Sequence, residues 1–387
     1  MKKILPIIVI AQFLCTSLWF AGNAVMGDII LQFQVSSSYL TYLTSTVQAG
    51  FIIGTLLFAT LGIADRFSPS KIFFICAVIA ATFNLIICVN GIHLTLLFAC
   101  RFLTGFFLAG IYPIGMKIAA DHYEHGLGKS LGFLVGALVL GTAFPHFLKS
   151  GLAHLPWKYV IFSTSMLSFI GGLALFIGVP DGPFRKRGQQ LKLGAFMQSF
   201  RNSEFRAAAF GYFGHMWELY TFWVFIPVIL GNYSRHFKIE LNISLLSFSI
   251  IFAGSLACVI SGLMAQRFGT KKIATLALAI SCSCCILSPL FLFNKSLVLL
   301  LTFLLIWGMV IVADSPLFST LIAQNAALTL RGSSLTIVNC IGFAITIVSI
   351  QFINVVLTEK NAQYIFMLLA LGPISGLLLM NNKERKN

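Results

Sequence analysis

A chain of 387 residues that is 58% hydrophobic and only 10% charged is not a soluble domain, in which about a quarter of the residues carry charge. Its net charge of +15 does not point to nucleic acid, because Lys and Arg sit in short loops between apolar runs. There they orient a membrane protein and face anionic lipid headgroups.

A spanning helix takes about 20 apolar residues. The run after Met1-Lys2-Lys3 continues through Trp19 and Phe20 to Met26 with no small-residue cleavage site, so it reads as a retained first span. The first six runs are Ile4–Met26, Tyr39–Ile63, Lys71–Val89, Leu94–Ala120, Gly128–Leu148 and Lys158–Val179. A polar, basic stretch, Pro180–Glu204, follows. Within it Leu191–Phe200 reads as an amphipathic helix at the membrane interface. The second six runs are Arg206–Leu230, Leu241–Met264, Lys272–Phe293, Ser296–Leu321, Gly332–Val355 and Ala362–Met380.

Placing the N-terminus inside puts Lys2, Lys3, Arg66, Lys71, Lys117, Lys129, Arg185, Lys186, Arg187, Lys192, Arg201, Arg206, Arg267, Lys271, Lys272, Arg331, Lys383, Arg385 and Lys386 on the inner side. Lys149, Lys158, Arg235, Lys238, Lys295 and Lys360 fall outside, a bias of about threefold that sets both termini in the cytoplasm. Cys15, Cys76, Cys88, Cys100, Cys258, Cys282, Cys284, Cys285 and Cys340 all lie in apolar runs, which favours packing over disulfides. Cys282, Cys284 and Cys285 have no matching His or Cys spacing elsewhere, so no metal is expected.

The two halves repeat each other. Ala64-Asp65-Arg66-Phe67-Ser68-Pro69-Ser70-Lys71-Ile72 matches Ala265-Gln266-Arg267-Phe268-Gly269-Thr270-Lys271-Lys272-Ile273 at five of nine positions, at an offset of 265 − 64 = 201. Gly105 precedes Pro113 by eight, as Gly308 precedes Pro316, at an offset of 308 − 105 = 203. Gly128-Lys129-Ser130-Leu131 and Gly332-Ser333-Ser334-Leu335 stand 204 apart. Three matches in order at a nearly constant offset define an internal repeat.

These motifs resemble the major facilitator superfamily over essentially the whole chain. Ala64, Asp65 and Arg66 match the family's Gly-x-Leu-Ala-Asp-Arg-x-Gly-Arg-Arg loop, while Leu61 and Ser68 stand in its glycine slots and Pro69 and Ser70 in its basic slots. The second copy keeps Gly262, Ala265, Arg267, Gly269 and Lys271 but has Gln266 for the acid. Arg101-Phe102-Leu103-Thr104-Gly105 resembles the family's fourth-helix motif. The stretches 110–117, 214–220 and 312–319 resemble a bacterial branch labelled nitrate/nitrite porter-like. True nitrate porters carry arginine in helices 2 and 8; Tyr39–Ile63 and Leu241–Met264 carry none, so nitrate is not the expected solute. The resemblance implies an all-α integral membrane fold of twelve transmembrane helices in two pseudo-symmetric six-helix bundles. Residues 1–179 form the first, 180–205 the cytoplasmic linker and 206–387 the second. It also implies a central cavity lined by helices 1, 4, 7 and 10 that opens to each side in turn.

Ionisable groups at bilayer depth are expensive and usually functional. Glu218 lies about twelve residues into the seventh run, with His215 one turn away. The pair reads as a proton site, against the alternative of a hydrogen-bonded packing pair. Asp314, two residues before Pro316, reads as a second proton site, a substrate contact or a cap for a bent helix. Arg101 needs an acid, an anionic ligand or the interface for its charge. Gln12, Thr16, Trp19 and Asn23 form one helical stripe. With Tyr112, Trp217 and Asn339 they are the remaining cavity candidates, with packing as the alternative. By resemblance Asp65, Arg66, Arg267 and Lys271 belong to a cytoplasmic gate.

No phosphate-binding Gly-rich loop ending in Lys-Ser or Lys-Thr is present, which removes direct ATP drive. No nucleophile–base pair or metal triad marks an enzyme. The expected protein is a secondary active transporter of a bacterial cytoplasmic membrane. It moves a small, moderately polar organic solute by alternating access, coupled to protons, as a monomer without cofactor. An uncoupled facilitator or exchanger and a proton-driven drug exporter are the alternatives.

Overall fold

A computed structural model describes residues 4–36, 38–123, 127–185, 194–327 and 330–381. Lys2, Lys3, Lys186, Arg187, Lys192, Lys383, Arg385 and Lys386 of the expected inner set, and Leu191 of the expected interfacial helix, lie outside them. Among the described residues ten helices are long and apolar enough to cross a membrane, and two shorter apolar ones, Ile4–Thr16 and Ile365–Met380, make up the twelve spans. The fold is the all-α, twelve-span architecture.

Several spans depart from a straight cylinder. Span 1 runs Ile4–Thr16, unwinds through 17–20, and resumes as Ala21–Ala24 and Met26–Phe33. Span 4 is split into Leu94–Leu108 and Tyr112–His122, with Pro113 in the first turn of the second piece. Span 10 is split in the same way into Leu297–Ala313 and Ser315–Asn325, with Pro316 in the first turn. A proline there needs no hydrogen-bonded N–H, so it suits a new helix start and ends the old one. Span 7, Ser203–Phe237, is a single helix that passes through Pro227. Its start is set by Asn202, whose side chain accepts from the backbone N–H groups of Glu204 (2.9 Å) and Phe205 (3.4 Å). The remaining spans are Tyr39–Thr60, Pro69–Ile86, Leu127–Gly151 and Lys158–Gly178 in the first half. In the second they are Ile243–Phe268, Thr270–Phe291 and Arg331–Val356, with span 12 opening as a 3₁₀ turn at Ile365–Ala370.

The chain divides into two compact units, 1–191 and 192–387, each holding six spans. In the first, a Cβ at Gly105 of span 4 would overlap the Val47 carbonyl of span 2. In the second, a Cβ at Gly308 of span 10 would overlap the Ile250 carbonyl of span 8. The offsets are equal, 308 − 105 = 203 and 250 − 47 = 203, so the repeat extends from sequence to packing. Small residues permit this backbone approach where lipid supplies no hydrophobic drive between helices. The stretch expected as one linker is divided between the units. Phe184 N–H donates to the Asp121 carbonyl of unit 1 (3.0 Å). The short helix Gly194–Ser199 belongs to unit 2, where the Ser199 and Ser334 hydroxyls lie 2.7 Å apart.

Candidate functional site

The second unit concentrates its buried charge on span 7. His215 and Glu218 are fully buried, as is Asp314 at the break of span 10. His215 Nδ1 lies 2.8 Å from Asp314 Oδ1. The remaining His215 Nε2 and Asp314 Oδ2 have no hydrogen-bond partner among the described residues. Around the imidazole stand Tyr212 (ring centroids 6.0 Å) and Phe318 (6.2 Å). Glu218 turns elsewhere: the Ser281 hydroxyl donates to Oε1 and the Cys285 thiol to Oε2 at 2.9 Å, both from span 9. Three residues on a helix are separated by about 60° around its axis, enough to send neighbouring side chains to different spans. The structure therefore brings His215 to Asp314 and does not join it to Glu218. A carboxylate that receives donors at both oxygens is held in place. A carboxyl–imidazole contact with open valences on each side can pass a proton between its members.

Among the described residues of the first unit the buried Lys or Arg is Arg101. Arg101 donates from Nη1 to Asn84 Oδ1 (2.9 Å) and from Nη2 to the carbonyls of Leu18 (3.1 Å) and Trp19 (2.7 Å). Those carbonyls are exposed by the unwound part of span 1. No carboxylate among the described residues forms an ion pair with it. Asn84 is itself fixed by Ser165 (2.9 Å), Thr164 (3.2 Å) and the Ile161 carbonyl (3.3 Å) of span 6. Arg101 thus joins spans 1, 3, 4 and 6 through neutral acceptors. Neither snorkelling to the interface nor a carboxylate partner is what the structure shows.

The other candidates are spread out. Gln12 is fully buried with neither amide atom hydrogen-bonded, and its side chain lies against Gly115 of span 4. The correspondence to the second unit is exact in offset: 215 − 12 = 203 and 318 − 115 = 203, so Gln12 stands where His215 stands. Asn23 donates to Thr44 Oγ1 at 2.8 Å. Trp19 is buried, its ring 4.8 Å from that of Phe51. Tyr112 is buried at the start of the second piece of span 4. Trp217 turns to span 12, donating to the Leu368 carbonyl at 3.2 Å, and Asn339 is half-buried on span 11.

Of the loop residues, Asp65 pairs with Lys117 at 3.1 Å, and Lys117 also approaches Asp121 at 3.7 Å. Arg66 is exposed. Arg267 lies 5.3 Å from the centre of the Phe268 ring, and Lys271 pairs with Glu204 at 2.7 Å. Sequence reasoning gave no site role to Asn84, Ser281, Cys285 or Lys117. A search for polar residues inside otherwise apolar runs would have found Asn84, and with it Gln48, whose buried amide has no hydrogen bond. Among the described residues no three His, Cys, Asp or Glu are grouped to hold a metal ion.

Comparison with known proteins places this geometry in a family context. A sequence model described as Major Facilitator Superfamily matches residues 8–350. Transporter YgaY of Escherichia coli, described as uncharacterized in strains K12 and O157:H7, is 24% identical over 184 residues. That match covers 46% of this chain and 45% of the relative, so the chain aligns with about half the length of the curated proteins it matches. Among solved structures, the human organic anion transporter MFSD10 (TETRAN) is similar with a TM-score of 0.79 at 14% identity, covering 98% of this chain and 99% of that one. A mutant of the nucleoside transporter NupG is similar with a TM-score of 0.71 at 14% identity, covering 97% and 99%.

Proposed function

The chain belongs to the Major Facilitator Superfamily, and from that premise we propose that it is a proton-coupled secondary transporter of a small, moderately polar organic solute. The observation that carries this reading is the His215–Asp314 contact, buried away from solvent, which ties span 7 to the break in span 10. A proton on the pair changes its net charge, and with it the strength of the tie between the two spans. In this reading that difference biases one arrangement of the break over another, which is how a proton gradient does work on a conformation. Glu218 is the second proton site. Alternating access then exposes the solute-binding groups to each side in turn. Arg101, Gln12, Trp19, Asn23, Tyr112, Trp217 and Asn339 are proposed to shape the solute site, directly or by fixing the spans that carry it. Asp65, Arg66, Arg267 and Lys271 are proposed gate residues. We propose that the protein acts as a monomer in a bacterial cytoplasmic membrane with both termini inside; the Lys and Arg bias supports the orientation and the bacterial relative supports the membrane.

A second reading, an uncoupled exchanger, is favoured by one observation: both Glu218 oxygens are satisfied by Ser281 and Cys285, as a purely structural carboxyl would be. Vesicles reconstituted with the purified protein and loaded with a pH-sensitive dye separate the two. The solute panel begins with nucleosides and organic anions, the classes carried by the structural relatives. Solute-dependent proton entry supports coupling. Solute movement without proton movement selects the exchanger.

A further inference from the structure

We propose that the segment entering span 7 carries a binding site for the phosphate headgroup of an anionic phospholipid. A cleft of about 580 Å³ is lined by Gly194, Met197, Gln198, Phe200, Arg201 and Arg206. It lies wholly within the second unit, where the short helix Gly194–Ser199 meets the start of span 7. The helix is anchored from its buried side by the Ser199–Ser334 contact at 2.7 Å. Its other side presents Met197, which is 69% exposed. An exposed apolar side chain beside cationic ones, at the point where the chain enters a membrane span, is the pattern of an interfacial segment: apolar tip among acyl chains, cations at headgroup level.

The charges of the cleft are of one sign. Arg206 donates from Nη1 to the Phe200 (3.0 Å) and Arg201 (3.2 Å) carbonyls, which fixes the turn that holds both arginines at the cleft. The one acid nearby in sequence, Glu204, is engaged with Lys271 at 2.7 Å and does not line the cleft. Arg201 is exposed and its guanidinium bonds to no described residue. A guanidinium presents paired N–H donors that match two oxygens of a phosphodiester, which a zwitterionic surface offers only with a neutralising amine alongside. The occupant that meets both the cations and Met197 has a net negative phosphate joined to acyl chains.

The test uses the full-length purified protein in detergent, with native mass spectrometry against added phosphatidylglycerol, phosphatidylcholine or inorganic phosphate. Phosphatidylglycerol is expected to be retained more tightly than phosphatidylcholine by about fivefold for each basic side chain involved. Arg201→Gln is expected to lose about fivefold in phosphatidylglycerol affinity, the share of one basic side chain. Lys295→Gln, at a loop outside the cleft, should lose nothing. Arg206→Gln also removes two backbone contacts, so Arg201→Gln decides the matter if that variant fails to fold. Equal retention of the two lipids, or an Arg201→Gln protein that holds phosphatidylglycerol as well as wild type, overturns the proposal. Inorganic phosphate that stabilises the protein as strongly as phosphatidylglycerol overturns the lipid assignment in favour of a free-anion site. None of these outcomes bears on whether transport is proton-coupled.

Discussion

His215 of span 7 and Asp314 of span 10 stand 2.8 Å apart, and neither side chain reaches solvent. Removing one partner of this buried carboxyl–imidazole contact leaves the other without a hydrogen-bonding partner, at a penalty of about 1–3 kcal/mol. Asp314→Leu and His215→Leu are each expected to lower the thermal midpoint of the detergent-purified protein. The double variant His215→Leu/Asp314→Leu should recover much of the loss, because no unpaired group remains. Strictly additive losses in a double-mutant cycle would mean the two side chains are not energetically coupled.

Glu218→Gln keeps one acceptor oxygen and sets an NH2 donor at the other position, so one of Ser281 and Cys285 must turn to accept; the amide cannot take up or release a proton. Stability should change little, while accumulation of solute against its gradient should fall to the equilibrium level and solute exchange should persist. The dependence of uptake on pH should flatten in the same variant. Full uphill accumulation by Glu218→Gln would remove this residue from the coupling machinery.

Hydrophobic length made the twelve spans readable in the sequence, and the repeat made the two halves readable. Gly105 and Gly308 were visible as matching glycines, and the structure gives each the same task against Val47 and Ile250. The breaks at Pro113 and Pro316 suit a residue that opens a helix more readily than it continues one, although span 7 runs unbroken through Pro227. The unwinding of span 1 at 17–20 carries no such mark, since no glycine or proline stands there; the turn's carbonyls are instead taken up by Arg101, a residue 82 positions away from Trp19. Partner choice was illegible for the same reason. Helical spacing puts His215 and Glu218 near one another, but span 10 supplies an acid to one and span 9 two donors to the other.

The matched glycines give a symmetric prediction. Gly105→Ala and Gly308→Ala each place a methyl group against a backbone carbonyl that cannot rotate away. Each is expected to lose about 1–3 kcal/mol, the range for overpacking a close contact. Gly27→Ala, where a Cβ would meet nothing within 4 Å, is the control and should be near neutral. Thermal unfolding of the three variants, measured side by side, checks it. A Gly308→Ala protein as stable as the control would mean the second half tolerates a wider spacing between spans 8 and 10 than the first does between spans 2 and 4.

Arg101 separates a structural role from a solute-contact role. Its guanidinium reaches Asn84 and two carbonyls of span 1 at once, a fork that a lysine ammonium cannot reproduce on all three acceptors. Hydrogen bonds involving a charged group contribute about 1.5–3 kcal/mol each. Arg101→Lys is therefore expected to lower the thermal midpoint even in the absence of solute, and Asn84→Ala to lower it in the same direction. Increased reactivity of a cysteine introduced at Ser17 would report that the unwound turn of span 1 has loosened. If Arg101→Lys instead leaves the solute-free protein as stable as wild type and only weakens solute binding, its charge acts on the solute and not on span 1.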